Sequence, residues 1–121
     1  MLGLPPGNIL QYIYLKKRLK KLRSNGLSSF IEIGSGTGHV SNIFLKMGFK
    51  GLGFDLNKSA CENNNIKNKI FISSEKYVVR NENFIQINIE KKYDIIISCM
   101  VIEHMNIDLL EQYFLKCKKI L

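Results

Sequence analysis

Two carboxylates and three glycines carry the chemistry that can be read from this sequence. Glu32 sits in a short apolar run, Phe30-Ile31-Glu32-Ile33. Gly34, Gly36 and Gly38 follow on alternate positions, and a second apolar run opens at Val40. A strand that ends in glycines and turns into a helix offers bare main chain, with backbone N–H groups exposed and no side chains in the way. A ligand can then lie directly against the backbone.

Two ligand classes use such a loop: dinucleotides and S-adenosylmethionine. Spacing separates them. The dinucleotide fingerprint is G-x-G-x-x-G, and here its last position is His39. The third glycine therefore falls short of the place where a helix must pack closely over a pyrophosphate. Glu32 would repel a pyrophosphate but attract the ammonium of a methionine moiety. No Gly-Lys-Ser/Thr follows the loop, which excludes a P-loop. Asp55 closes the run Gly51-Leu52-Gly53-Phe54-Asp55. A carboxylate at a strand tip can accept both hydroxyl protons of a ribose, and charge-assisted bonds of that kind fix a nucleoside firmly. Alone, Asp55 reads equally well as a turn former or helix cap. Together with Glu32 and the glycines it favours a ligand.

The elements that position these residues follow from periodicity. Pro5-Pro6-Gly7 is a breaker, and Asn8 is the expected N-cap of a helix from Ile9 to about Arg23, with Ile9, Leu10, Tyr12, Ile13, Leu15, Leu19 and Leu22 at helical spacing. Asn25-Gly26 ends it. Ser29–Ile33 is a buried strand. Gly38 to Met47 is a helix with Val40, Ile43, Phe44 and Met47 inward, stopped by Gly48. Leu52–Asp55 is a second strand. Asn57 caps a long polar helix to about Ser73, with Ala60, Cys61, Ile66 and Ile70 inward. Tyr77–Arg80 is a third strand. Tyr93–Ser98 is the clearest, continuous in β-branched residues as a buried parallel strand is. Asn106 caps a last helix, Ile107 to about Leu121, with Leu109, Leu110, Tyr113, Phe114 and Cys117 inward. Strands alternating with helices imply βαβ units and a parallel sheet.

Four motifs now stand in order: Glu32-Ile33-Gly34-Ser35-Gly36-Thr37-Gly38, then Gly53-Phe54-Asp55-Leu56, then Tyr93-Asp94-Ile95-Ile96-Ile97-Ser98 leading into Val101-Ile102-Glu103-His104. From Phe30 onward the chain resembles the class I S-adenosylmethionine-dependent methyltransferases, most of all their small-molecule branch. The resemblance implies an α/β, Rossmann-like, three-layer α/β/α fold whose complete sheet has strand order 3-2-1-4-5-7-6. It implies that Glu32, Gly34, Ser35, Gly36 and Gly38 cradle the methionine part, that Asp55 holds the ribose and that Leu56 packs on the adenine. The family places an Asp and an apolar residue after the third strand. Asn83-Phe84 fits that slot, with Asn88-Ile89 as the competing register. Asn can accept the same bond without charge, which implies weaker binding. Ser98, Cys99 and Met100 would line the floor near the sulfonium.

Methyl transfer from a sulfonium is an in-line displacement, so alignment in a dry pocket supplies most of the rate. A base is needed only for a poorly ionised acceptor. His104, following the fourth strand, is the candidate by position; the competing reading is a residue that caps or packs the entrance to the last helix. Glu103 could be structural or orient a substrate. His39 is expected at the solvent or the cofactor mouth. The family's base-methylating members carry an Asn/Asp-Pro-Pro-aromatic motif where this chain has Ser98-Cys99-Met100-Val101, which argues against DNA bases as acceptors. Tyr12 and Tyr14 could form a flap over the cofactor or pack the first helix.

Composition bounds the rest. A chain of 121 residues, 45% hydrophobic, builds one domain. It is expected to comprise an amphipathic helix over 1–26 and a cofactor-binding half-domain over 27–121. The net charge of +8 is concentrated partly in Lys16, Lys17, Arg18, Lys20, Lys21 and Arg23, read as a solvated helix face rather than a nucleic-acid patch. Cys61, Cys99 and Cys117 have neither disulfide nor zinc spacing and read as core residues. No metal pair is apparent. No apolar run approaches the ~18 residues of a membrane span, and no signal peptide is evident, so a cytoplasmic protein is expected. The alternation stops after the fourth strand, leaving an apolar edge. A fragment, a split-gene product completed by a partner or by self-association, and a remnant all fit. The expected activity is methyl transfer to a small-molecule acceptor; the alternatives are a non-catalytic cofactor-binding subunit and a basic nucleic-acid-binding module.

Overall fold

A computed structural model describes residues 6–99 and 101–121. Pro5 and Met100 lie outside the described residues. Four strands, β1 (Ser29–Ile33), β2 (Lys50–Phe54), β3 (Tyr77–Arg80) and β4 (Ile95–Ser98), form one sheet in the order β3-β2-β1-β4. All three pairings are parallel. Five helices accompany them: α1 (Pro6–Ser24), α2 (His39–Lys46), α3 (Lys58–Lys67), α4 (Lys69–Ser73) and α5 (Ile107–Ile120), with a 3-10 turn at Ile102–His104. The expected α/β/α layering and the order of these four strands are as the resemblance implied.

Strand alternation sorts the core into two clusters. Phe30 of β1 joins Leu19 of α1, Val40, Ile43, Phe44 and Leu45 of α2, and Tyr77 of β3 on one face. Ile31 and Ile33 point the other way, to Phe54, Phe84 and Ile120. Aromatic rings concentrate on the first face: Phe30 meets Phe44 at 4.7 Å between centroids, and Phe44 meets Phe49 edge-on at 5.4 Å. Such pairs contribute about 1 kcal/mol each beyond the area they bury. Gly51 and Gly53 make room for this layer. A Cβ on Gly51 would strike the Phe30 carbonyl and ring, and one on Gly53 would strike the Tyr77 hydroxyl and Ser35.

Several expected boundaries shift. Helix α1 begins at Pro6, so Asn8 lies inside its first turn rather than capping it. Proline suits a first turn because its missing N–H has no intrahelical partner there. Leu10, Ile13 and Tyr14 of α1 are exposed, while Tyr12, Leu15 and Leu22 pack on the core. The single long helix after Asn57 is two helices, parted at Asn68. Its expected inward residues Ile66 and Ile70 are 73% and 80% exposed, whereas Asn64 and Asn68 are fully buried. Phe114, expected inward on α5, is 60% exposed, and Ile120 is buried in its place.

Strand β4 starts at Ile95, two residues later than expected. Asp94 does a different job: its Oδ2 accepts the backbone N–H groups of Ser28 (2.8 Å) and Ser29 (3.0 Å), so it ties the start of β4 to β1. These bonds hold its carboxyl below the ordinary carboxylate range. Among the described residues strand β4 pairs only with β1 and is half-buried throughout, so it forms the expected edge of the sheet. Helix α5 covers the second face, its Tyr113 ring 5.6 Å from that of Phe84. The Lys116 ammonium donates to the carbonyls of Phe84 and Ile87, which binds α5 to the loop after β3.

Candidate functional site

The candidate site lies at the C-terminal tips of β1 and β2, where a parallel sheet places loops rather than side-chain rows. The loop from Gly34 to Gly38 leaves β1 in left-handed backbone: φ is +74° at Gly34, +53° at Gly36 and +86° at Gly38. Each glycine meets a different neighbour. A Cβ on Gly34 would collide with Val101, and one on Gly38 would collide with Asn64 and Asn68. At Gly36 it would meet nothing within 4 Å. Only the middle glycine faces open space.

The loop's N–H groups are less free than expected. Gly34 and Ser35 both donate to the Phe54 carbonyl, at 2.7 and 2.9 Å, and Gly38 donates to the Ser35 carbonyl. Gly36 donates to Asp55 Oδ2 at 2.8 Å. The physical reason is that the loop is stitched to the end of β2, so a ligand meets its shape more than its donors. The other Asp55 oxygen accepts the Asn57 N–H at 2.8 Å. A carboxylate has about four acceptor positions, so each Asp55 oxygen retains one for a hydroxyl.

Glu32 is buried at the base of the loop. Ser41, in the first turn of α2, donates its N–H (3.1 Å) and its hydroxyl (2.6 Å) to Glu32 Oε1. Burial pushes the carboxyl up to about 7 against these two bonds, and the negative charge of Asp55 adds to the rise. Both bonds fall on Oε1, and among the described residues no donor is bonded to Oε2.

A cavity of about 210 Å³ opens beside these groups, lined by Ile33, Gly34, Phe54, Asp55, Leu56, Glu82, Asn83, Phe84, Val101 and Tyr113. Five expected residues thus meet around one space: Gly34, Asp55, Leu56, Asn83 and Phe84. Leu56, 73% exposed, forms the outer wall, and Phe84, fully buried, forms the inner one. Asn83 Oδ1 accepts the N–H of Ile85, which tightens its own turn. Asn88 lines a different groove against α5. Ser98 is at the tip of β4 opposite Ile33, and its Oγ is buried without a hydrogen-bond partner among the described residues. It lines a separate apolar cavity of about 460 Å³ with Ile97, Tyr113 and Phe114.

Other expected residues lie elsewhere. Ser35 is buried behind the loop, its Oγ accepting from Asn64. Cys99 packs on the first core cluster, and burial pushes its thiol up, with Glu32 adding to the rise. His104 is on the 3-10 turn with its side chain 78% exposed, 3.8 Å from Glu103, and it does not line the 210 Å³ cavity. His39 is half-buried beside Gly38; its Nε2 is enclosed without a partner among the described residues, and burial and Lys67 lower its pKa. Cys61 is buried, Cys99 and Cys117 half-buried, all three as free thiols. Val101, Tyr113 and Glu82 line the cavity without having been anticipated. Nor was the buried set Ser41, Asn64, Asn68 and Tyr77, although Asn64 and Asn68 share a helix face at i, i+4.

The family described as "Methyltransferase domain" matches residues 9–117. The chain belongs to that family. S-adenosylmethionine is the cofactor the family implies, and the residues present fit it. Gly36 leaves room where a side chain would intrude, Asp55 keeps acceptor capacity, and among the described residues Ser98 Oγ and Glu32 Oε2 have no hydrogen-bond partner. Solved structures agree on the fold. Magnesium protoporphyrin IX methyltransferase from Synechocystis PCC 6803 with bound SAM is 15% identical with a TM-score of 0.73; the match covers 92% of this chain and 53% of that one. An S-adenosylmethionine-dependent methyltransferase from Clostridium acetobutylicum ATCC 824 is 18% identical with a TM-score of 0.70, over 98% of this chain and 47% of that one. The methyltransferase domain of bacterial CtHen1-C is 20% identical with a TM-score of 0.68, over 86% and 57%. This methyltransferase domain therefore spans about half the length of the solved structures it resembles. No curated protein matches it in sequence. None of its helices, among the described residues, is long and apolar enough to cross a membrane.

Proposed function

We propose that this chain binds S-adenosylmethionine at the tips of β1 and β2 and contributes the cofactor half of a methyl transfer to a small-molecule acceptor. The observation that carries this reading is the 210 Å³ cavity, where Gly34, Asp55, Leu56, Asn83 and Phe84 converge from three separate loops. Bound there, S-adenosylmethionine would supply an electrophilic methyl group on a sulfonium. Asp55 would accept the ribose hydroxyls, and Leu56 and Phe84 would enclose the adenine, with Asn83 at its edge. Glu32 and the loop at Gly34, Ser35, Gly36 and Gly38 would hold the methionine part. Ser98 and Cys99 would border the reacting end. His104 is proposed as the base for an acceptor whose nucleophile carries a proton, its imidazole standing exposed on the turn after β4.

Isothermal titration with S-adenosylhomocysteine tests the reading. Heat of binding is expected from the folded chain, with none from NAD. The reverse pattern would overturn it. A second reading, a cofactor-binding subunit that acts only with a partner chain or a second copy, is favoured by the single-sided pairing of β4. Light scattering of the isolated chain separates the two, a monomer that methylates unaided being incompatible with the second.

A further inference from the structure

Beneath the glycine loop runs a row of buried polar side chains with one forced direction. The Gly38 carbonyl accepts from Asn68 Nδ2 at 3.2 Å. A carbonyl can only accept, so the Asn68 amide must present its nitrogen on that side. The same nitrogen donates to Asn64 Oδ1 at 2.7 Å. Asn64 then has its own nitrogen left to give, and it donates to the Tyr77 hydroxyl at 3.0 Å and to Ser35 Oγ at 3.4 Å. Tyr77 gives its proton to Ser41 Oγ at 2.9 Å. Ser41 gives its own to Glu32 Oε1 at 2.6 Å. Asn68 Oδ1 is taken up by Asn42 Nδ2 at 2.9 Å.

Five side chains from α3, the α3–α4 junction, β3, α2 and β1 thus form one directed series ending on a carboxylate. All five are buried. Reversing any member would set two donors or two acceptors face to face, which is costly away from water. The series touches the loop at both ends: at Gly38, whose Cα faces Asn64 and Asn68, and at Glu32. It does not line the cavity bounded by Asp55, Asn83 and Phe84.

We propose that Asn64, Asn68 and Tyr77 are positioning residues for the methionine half of the cofactor site, holding the Gly38 turn and the Glu32 carboxylate in a single arrangement through this series. The proposal rests on the cofactor reading above and deepens it by dividing the site in two. The nucleoside half is shaped by the β2 tip and the loop after β3. The methionine half is shaped from behind by α3 and β3, which need not touch the ligand.

The division supplies the test. S-adenosylhomocysteine spans both halves, and adenosine fills only the first. Affinities for both would be measured by NMR titration on the wild type, Tyr77→Phe and Asn68→Ala, each held well below its melting temperature. Tyr77→Phe keeps the ring and removes one link; Asn68→Ala removes the contact to Gly38 and serves if the first does not fold. The expected result is about a 10-fold loss for S-adenosylhomocysteine, the effect of one or two buried hydrogen bonds, with adenosine affinity within about 2-fold of wild type and the Gly36 and Gly38 amide resonances shifted. Equal losses for both ligands would mark a general structural role and overturn the proposal, as would unchanged affinity for S-adenosylhomocysteine. A wild type that binds neither ligand would overturn the cofactor reading itself, and this proposal with it.

Discussion

The Gly36 N–H lies 2.8 Å from Asp55 Oδ2, so the loop after β1 and the tip of β2 are joined by a charge-assisted bond at the mouth of the site. The same carboxylate is proposed to hold a ribose, which makes it both part of the wall and part of the ligand's coordination. Asp55→Asn should therefore weaken S-adenosylhomocysteine binding by about 10- to 100-fold, the range for losing hydrogen bonds to a charged group. Isothermal titration measures it. Affinity unchanged from wild type would remove Asp55 from the ligand.

Gly36→Ala and Gly38→Ala should fail in different ways. At Gly36 a methyl group meets open space, so the expected cost to stability is the ~1–2 kcal/mol of left-handed backbone for a residue with a Cβ. At Gly38 the methyl group also displaces Asn64 and Asn68, and a further 1–3 kcal/mol, roughly, is expected from overpacking. Urea denaturation of the two variants gives the comparison. Equal stabilities would contradict the packing at Gly38.

Glu32 imposes a sign on the pH dependence of stability. Its folded carboxyl titrates at about 7 against an ordinary 4.5. The folded chain then binds more protons than the unfolded one between those values, so this group costs stability as pH rises through that window, by about 3 kcal/mol at full effect. Glu32→Gln keeps an acceptor for Ser41 and cannot ionise. The melting temperature of the variant should rise relative to wild type between pH 5 and pH 8. A constant difference across that range would mean that Glu32 titrates normally.

Asp94 should behave in the opposite sense. Its carboxyl is held low by Ser28 and Ser29, so its contribution is present above the ordinary carboxylate range and is lost as pH falls through the lowered value. The group is exposed, and solvent screens it. Asp94→Ala, with its two N–H partners left to water, should cost about 1 kcal/mol near neutral pH and nothing in strong acid. Thermal melts at the two pH values check it.

Strand composition made most of the fold legible. Ser29–Ile33 and Tyr77–Arg80 are bounded as expected, because each is a short apolar run closed by polar residues or glycine. Asn57 and Asn106 read as caps, and each accepts the N–H three residues on, at 2.9 and 2.8 Å. The misplaced face of α3 and α4 has a single cause. Ile66 and Ile70 are expected inward on hydrophobicity, yet Asn64 and Asn68 are the buried residues there, their partners coming from α2, β3 and the loop after β1. A polar core cannot be recognised from one helix, because the groups that satisfy it are distant in sequence. The site divides likewise. Glu32, Asp55 and the glycines stand out locally, whereas Val101 enters the cavity from the turn after β4 and Tyr113 from α5, which folds back over the second face.

The glycine signature itself conceals two unlike constraints. Gly34 and Gly38 are held to glycine by neighbours within the protein as well as by left-handed backbone, and Gly36 by its backbone alone, with open space beside it. A descendant that abandoned the ligand could change the middle position at the cost of a strained turn, whereas a change at either outer position would also displace the side chains packed on it. Loss of glycine at the flanks therefore disturbs the scaffold, and loss at the centre only the loop.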